Sequence, residues 1–274
     1  MKVVNRIDQM EHSAGLTTGL VPTMGAFHEG HLQLMRAARI ENDRVVVSLF
    51  VNPTQFGVGE DFERYPRNLD RDIALAESVG VDVLFAPDTQ QIYPRPGCTI
   101  HVPVVTERWE GQIRPHHFSG VATVVCKLFH IVCCDVAYFG QKDLQQCIVI
   151  RRMIDDLNIP VRFSMQPTVR EPDGLAMSSR NAYLTPEDRA RAPMLQQLLQ
   201  SVRKAIKEGN CTPDQLDKWL HSASTKLEIA GFSVDYFECI DLEDAHAVRD
   251  ISRPCALIVA ARIGRTRLID NLLI

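Results

Sequence analysis

The residues best suited to chemistry fall in four short clusters. In His28-Glu29-Gly30-His31, two imidazoles flank a small residue just ahead of Leu32, Leu34, Met35 and Ala38, which recur at helical spacing. A glycine-bearing turn that opens a helix is a natural anion site, because backbone N–H groups and the helix dipole both favour negative charge there. Two histidines at such a mouth can offset charge developing on a polyphosphate. Taken alone, the turn fits two structural histidines equally well. Zinc ligation fits less well, since these histidines are three apart and the metalloprotease helix motif sets them four apart. In Asn52-Pro53-Thr54-Gln55, the two amides can each donate and accept, which suits a small polyhydroxylated acid or simply a satisfied turn. Gly140-Gln141-Lys142-Asp143 offers a lysine to a phosphate and an acid to a ribose hydroxyl or hydrated metal, with Gln146 on a neighbouring helical face. Ser178-Ser179-Arg180 reads as a compact anion grip or as an ordinary capped loop.

Positioning these clusters requires a scaffold of alternating strands and helices. Gly19-Leu20-Val21 ends a strand before the histidine turn, and the β-branched run 45–51 reads as a strand buried on both faces. It delivers Asn52 and Gln55 to a strand's C-terminal edge, where open α/β sheets bind ligands. Residues 68–79 read as a helix, capped by Asn68, with Asp70 and Asp72 in its first turn and Gly80 closing it. Strands are expected at 81–86, 99–105 and 135–139. Segment 107–120, with Arg108, Arg114, His116 and His117, reads as a mobile basic loop, and Ser119 as the cap of a following helix. Thr185-Pro186 and Thr212-Pro213 are strong helix starts, the first running to Gly209 and the second to Gly231, with strands at 232–240 and 255–263. The expected fold is α/β: a doubly wound, Rossmann-like parallel sheet over 1–168, with a second, smaller α+β domain over 169–274 closing over the ligand edge.

Composition narrows the function. Apolar residues make up 45% and charged residues 23%, ordinary for a soluble globular protein. A net charge of −4 supplies no broad basic field, which argues against nucleic acid as the main partner. No signal peptide is read at the start, and the most apolar stretch, 121–132, is too short to span a bilayer. The eight cysteines include no Cys-x-x-Cys pair and mostly lie in apolar segments, which fits a reducing cytoplasm; the vicinal Cys133-Cys134 is the one candidate for reactivity.

In this order the segments resemble the pantothenate synthetase (pantoate–β-alanine ligase) family across nearly the whole chain. The resemblance rests on Val21-Pro22-Thr23-Met24-Gly25, His28 to His31, Phe50 to Phe56 and Phe139-Gly140-Gln141-Lys142-Asp143-Leu144-Gln145-Gln146. It continues through Val169-Arg170-Glu171, Gly174 to Asn181 and Thr266-Arg267-Leu268-Ile269-Asp270-Asn271. It implies AMP-forming ligation: pantoate attacks the α-phosphorus of ATP, pyrophosphate leaves, and β-alanine takes the acyl group from pantoyl adenylate. Met24, Gly25, Ala26, Phe27, His28, Glu29, Gly30 and His31 would line the ATP site, with His31 as proton donor. Gly140, Gln141, Lys142, Asp143, Val169, Met177, Ser178, Ser179 and Arg180 would complete it. The catalytic groups would be His28, His31, Lys142, Ser178, Ser179 and Arg180.

Gln55 and Gln146 would hold pantoate, and Gln55 would also meet β-alanine. The resemblance further implies Mg2+ carried by ATP phosphates without a protein cage, a homodimer and a cytoplasmic location. Two positions depart from the family pattern: Gln141 replaces a usual glutamate and His116 a usual small residue; Arg71 also interrupts the acids of 70–72 and would weaken any metal contact from Asp70 or Asp72. The alternatives are another two-histidine nucleotidyltransferase acting on a phosphate acceptor, and a catalytically silent nucleotide-binding protein. A class I aminoacyl-tRNA synthetase fragment fits less well, because the chain lacks a basic surface. Uncharged Gln55 and Gln146 favour a hydroxy acid over a phosphate, which calls for arginines.

Overall fold

The computed structural model describes residues 1–12, 14–57, 59–209 and 211–274, and the chain divides into two compact units. The first comprises Met1–Gln141 and Gln145–Pro167; the second comprises Lys142–Leu144 and Thr168–Ile274.

The first unit is built on a parallel sheet of β1 (Lys2–Val4), β2 (Thr18–Thr23), β3 (Arg44–Leu49), β4 (Val83–Phe85), β5 (Val136–Gly140) and β6 (Arg162–Gln166), in the order β1-β4-β3-β2-β5-β6. Succession runs one way from β2 through β3 and β4, and the other way through β5 and β6. The order therefore reverses between β2 and β5, the position at which doubly wound sheets bind nucleotides. The β-branched run of β3 is inaccessible on both faces, as a central parallel strand must be. Helix α1 (Glu29–Glu41) buries Leu32, Leu34, Met35 and Ala38 against Val21, Val45 and Val47. Helix α2 (Leu69–Ser78) is capped by Asn68, whose Oδ1 accepts the Arg71 N–H at 3.1 Å. Short α3 (Thr89–Ile92) and α4 (Glu110–Ile113) precede α5 (His117–Val132), which is buried on most of its circumference, and α6 (Leu144–Asp156).

Two expectations are corrected here. No strand forms over 99–105: the Ile100 N–H donates to Thr123 Oγ1 at 2.8 Å, and Val104 adopts φ 68°, outside any strand conformation. Segment 107–120 is not an open loop. It contains α4 and the start of α5, with Ser119 inside the helix, and buried Gln145 ties it down. The Gln145 amide donates to the carbonyls of Val105 and Arg108, both at 2.9 Å, and accepts the Glu110 N–H at 3.0 Å.

The second unit has an antiparallel sheet, β7 (Ser233–Asp241), β8 (Cys255–Ile263) and β9 (Thr266–Leu273), beside α7 (Pro186–Arg191), α8 (Met194–Glu208) and α9 (Pro213–Ile229). Leu195, Leu198, Leu199, Val202 and Ile206 from α8 pack with Leu216, Leu220 and Leu227 from α9 over Leu257, Val259 and Ala261. Each fully buried aliphatic contributes about 2 kcal/mol relative to exposure. The single helix expected from Pro186 to Gly209 is two helices, because Pro193 carries no N–H to continue α7. The Thr212 capping box forms as read, with Gln215 returning the bond. Sequence reading did not anticipate β1, β6 or β9 as strands.

One packing detail bears directly on the site. Gly120 in α5 lies so close to the 53–55 turn that an added Cβ would sit 2.5 Å from the Thr54 carbonyl oxygen. Alanine ordinarily stabilises a helix relative to glycine by about 1 kcal/mol. Here Gly120→Ala is expected instead to lower stability by about 1–3 kcal/mol, as overpacking does, measured by urea unfolding.

Candidate functional site

The histidine turn leaves β2 through Met24 and enters α1 at Glu29. His28 is the N-cap of α1, and its Nδ1 accepts the Gly30 N–H at 3.1 Å. His31 returns the bond, its Nδ1 accepting the His28 N–H at 3.3 Å. The two rings lie 4.1 Å apart, centroid to centroid. With both Nδ1 atoms accepting, the proton of each neutral ring sits on Nε2. The helix mouth was expected to offer its N–H groups to an anion. Several already have partners: Ala26 and Phe27 donate to Asp72, His28 to His31, and Gly30 to His28. Four of the N–H groups that the sequence reading offered to an anion are therefore already engaged.

Gln55 follows β3 in a short 3₁₀ turn, 53–55, that opens on Asn52. Asn52 is buried and fully committed: its amide donates to Gln55 Oε1 and to the Gly120 carbonyl, both at 3.1 Å, and its Oδ1 accepts from Tyr93 at 3.0 Å. By occupying Gln55 Oε1, Asn52 fixes the Gln55 amide so that Nε2 is the atom turned to Met24 Sδ, 3.2 Å away. The structure thus brings Gln55 against the first residue of the histidine turn.

The Gln55 backbone is held as well. Its carbonyl accepts from Arg114 at 3.3 Å and lies 3.0 Å from His117 Nδ1. Arg114 is paired with Glu60 through two bonds of 2.7 and 2.6 Å, and its NH1 faces His117 Nε2 at 3.2 Å. Arginine has only donors, so Nε2 accepts and the His117 proton resides on Nδ1. Burial, followed by the Arg114 charge, lowers the His117 pKa from 6.5 to about 4. The Arg114 hydrogen bond and charge hold Glu60 below the usual carboxylate range despite its burial. Sequence reading placed Arg114 and His117 in a mobile loop; the signal it lacked was Glu60, far upstream.

Gln146 lies half-buried in the first turn of α6, and Gly140 and Gln141 stand at and just beyond the end of β5, beside β2. Asp72, read as a first-turn helix acid or a weak metal contact, is buried and spends both carboxylate oxygens on backbone N–H groups.

In the second unit, Val169 and Met177 face each other across a hairpin, with the Met177 N–H donating to the Val169 carbonyl at 3.0 Å. Arg170 in that hairpin meets buried Asp270 of β9 through bonds of 2.7 and 2.9 Å. The next residue, Asn271, donates to the Lys142 carbonyl at 2.9 Å. Strand β9 therefore steadies both the hairpin and the Lys142 turn, which gives the 266–271 motif its role. Lys142 Nζ lies 3.8 Å from Asp143. Ser178 caps the 179–183 turn, its Oγ accepting the Arg180 N–H at 3.3 Å, and Asn181 ties that turn to the Ala176 carbonyl. Among the described residues no three His, Cys, Asp or Glu side chains gather to hold a metal ion, and no helix is long and apolar enough to cross a membrane.

A parallel sheet of this order, with a two-histidine turn at its switch point, defines a doubly wound α/β protein. The chain belongs to the pantoate-beta-alanine ligase family, whose model matches residues 1–273. It is 49% identical to the pantothenate synthetase of Roseiflexus sp. over 99% of this chain and 98% of that protein. It is 52% identical to that of Heliobacterium modesticaldum over 95% and 92%. The crystal structure of pantothenate synthetase from Thermus thermophilus superposes with a TM-score of 0.93 at 45% identity, covering 99% of both chains. A pantoate-beta-alanine ligase from Francisella tularensis, solved with beta-gamma ATP and beta-alanine, gives 0.80 at 34% identity, covering 100% of this chain and 97% of that one.

The buried histidine yields a stability test. Between about 4 and 6.5 the unfolded chain binds a proton at His117 that the folded chain refuses, so folding stability rises with pH across that window. This contribution is complete above pH 6.5 and lost as pH falls towards 4, amounting to about 3 kcal/mol at most. Urea unfolding across pH 4–7 should show the slope, and His117→Asn should flatten it while its amide N–H replaces the Nδ1–H donor.

Proposed function

We propose that this protein ligates pantoate to β-alanine with ATP, through an enzyme-bound pantoyl adenylate, releasing pyrophosphate and AMP. The observation that carries the reading is the 3.2 Å approach of Gln55 Nε2 to Met24, which joins an acid-binding amide to the histidine turn. Family membership and a relative solved with both beta-gamma ATP and beta-alanine support it.

A carboxylate is a poor acyl donor because its leaving group would be oxide; as a mixed anhydride with AMP it has a good one. In this reading Gln55 and Gln146 hold pantoate with its carboxylate towards the α-phosphorus. One carboxylate oxygen bonds to phosphorus as the bond to pyrophosphate breaks. His28 and His31, with protons on Nε2, donate hydrogen bonds to the phosphate oxygens on which charge accumulates, each worth on the order of 3 kcal/mol where water is excluded. Lys142, Ser178, Ser179 and Arg180 add donors and positive charge from the smaller unit. Asp143 takes a ribose hydroxyl, Gly140, Gln141, Val169 and Met177 border the nucleotide, and Gln55 also receives β-alanine, whose amine attacks the acyl carbon and expels AMP.

Mg2+ enters as part of the ATP substrate, held by phosphate oxygens and water, which suits an ion that sheds water reluctantly. A homodimer in the cytoplasm completes the reading, and eight cysteines outside any disulfide suit that reducing compartment.

Product analysis with ATP, pantoate and β-alanine tests the reaction. AMP, pyrophosphate and pantothenate are expected in equal amounts, whereas ADP, or no pantoate-dependent pyrophosphate–ATP exchange, would overturn it. His31→Ala should slow that exchange by ~10²-fold or more, since one oxyanion donor is removed, with the chain still folded despite the lost bond to the His28 N–H.

A further inference from the structure

We infer that Asp72 is a positioning residue for adenylation: its carboxylate holds the turn ahead of His28 in a left-handed conformation that the turn's own residues do not favour. Gly25 and Ala26 are consecutive positive-φ residues, at 86° and 53°. Glycine adopts that geometry readily; alanine does so at a cost, because its Cβ crowds the following carbonyl. The cost is met from α2. Asp72 Oδ2 accepts the Ala26 N–H and Oδ1 the Phe27 N–H, both at 2.8 Å, and the residue is 1% exposed. Arg71 completes the grip by donating to the Phe27 carbonyl at 3.1 Å.

The clamp acts immediately upstream of His28. Phe27 is itself buried, its ring 5.6 Å from that of His31. Fixing the Ala26–Phe27 backbone through these three bonds sets where the chain enters α1, and hence where both imidazoles stand. A carboxylate is the group suited to this task, since it presents two acceptors and no donor to two adjacent N–H groups. The same commitment removes Asp72 from service as a metal ligand. Arg71, which interrupts the acidic run 70–72, is a second clasp on the same turn.

The assay half of the test rests on the ligase reading, and the exchange half does not. In the ligand-free wild-type protein, the Ala26 and Phe27 amides should exchange hydrogen as slowly as those in the body of α1. Exchange at the rate of an exposed loop would overturn the inference, whatever the enzyme catalyses and whether or not the variant folds. Asp72→Asn places an amide N–H2 against a backbone N–H. It should speed exchange at 26–27 and raise the KM for ATP about tenfold, the loss of one charge-assisted bond, with the KM for pantoate within about twofold. Adding Ala26→Gly to Asp72→Asn should recover most of the ATP KM, because glycine holds the positive φ unaided. No recovery, or a change in the Mg2+ requirement at saturating ATP in place of the KM effect, would make Asp72 a ligand or reacting group and overturn the assignment.

Discussion

Every backbone polar group left in the loops beyond a sheet's strands must find a partner, and this constraint shapes each unit. Where strands stop, loops take over, and their N–H and C=O groups cannot be satisfied by a ladder. The chain answers with buried amides and carboxylates, each of which bonds a loop's backbone or, for Asp270, the arginine that the loop carries. Asn52 holds the Gln55 turn to α5, and Gln145 holds the 105–110 segment. Asp72 holds the histidine turn, while Asp270 and Asn271 hold the hairpin and the Lys142 turn. None of these side chains need touch a substrate. Within each unit they hold in place the loops that carry the candidate site residues.

Rigidity here also fixes protons. A histidine whose Nδ1 accepts a backbone bond carries its proton on Nε2, and two such histidines face the same way in charge and tautomer. His117 is the mirror case, with Nδ1 turned to a carbonyl and Nε2 to a guanidinium. Three imidazoles within one unit are thus assigned by geometry to different tasks. In His28 and His31 the accepting nitrogen completes the cap of α1, and in His117 it accepts from Arg114, so protonating it would break a bond that shapes the loop.

Much of this was legible in the sequence, for local reasons. The β-branched run of β3, the Asn68 cap and the Thr212 capping box are decided by neighbours a few residues away, and each forms as read. The alternating pattern over 99–105 misled because Thr123, on a later helix, takes the Ile100 N–H that a ladder would have used. The 107–120 segment looked solvated because its arginine and histidines were visible and their partner Glu60 was not recognisable as one. Asp72 looked like a helix-dipole acid for the same reason: its true partners lie 45 and 46 residues upstream. Pairings of that span cannot be recovered from periodicity or capping rules, and they are the ones that set the candidate site.

The bond from Asn271 to the Lys142 carbonyl has a consequence for how the protein comes into being. It joins residues separated by 129 positions, and Arg170 waits on Asp270 across 100. During synthesis the parallel sheet and histidine turn can form while the lysine turn still lacks its anchor. The nascent chain therefore has a long interval in which the histidine turn is in place and the lysine turn is not. A ribosome paused within that interval carries a folded sheet with an unsecured Lys142 turn, which is tied down only after β9 has been made.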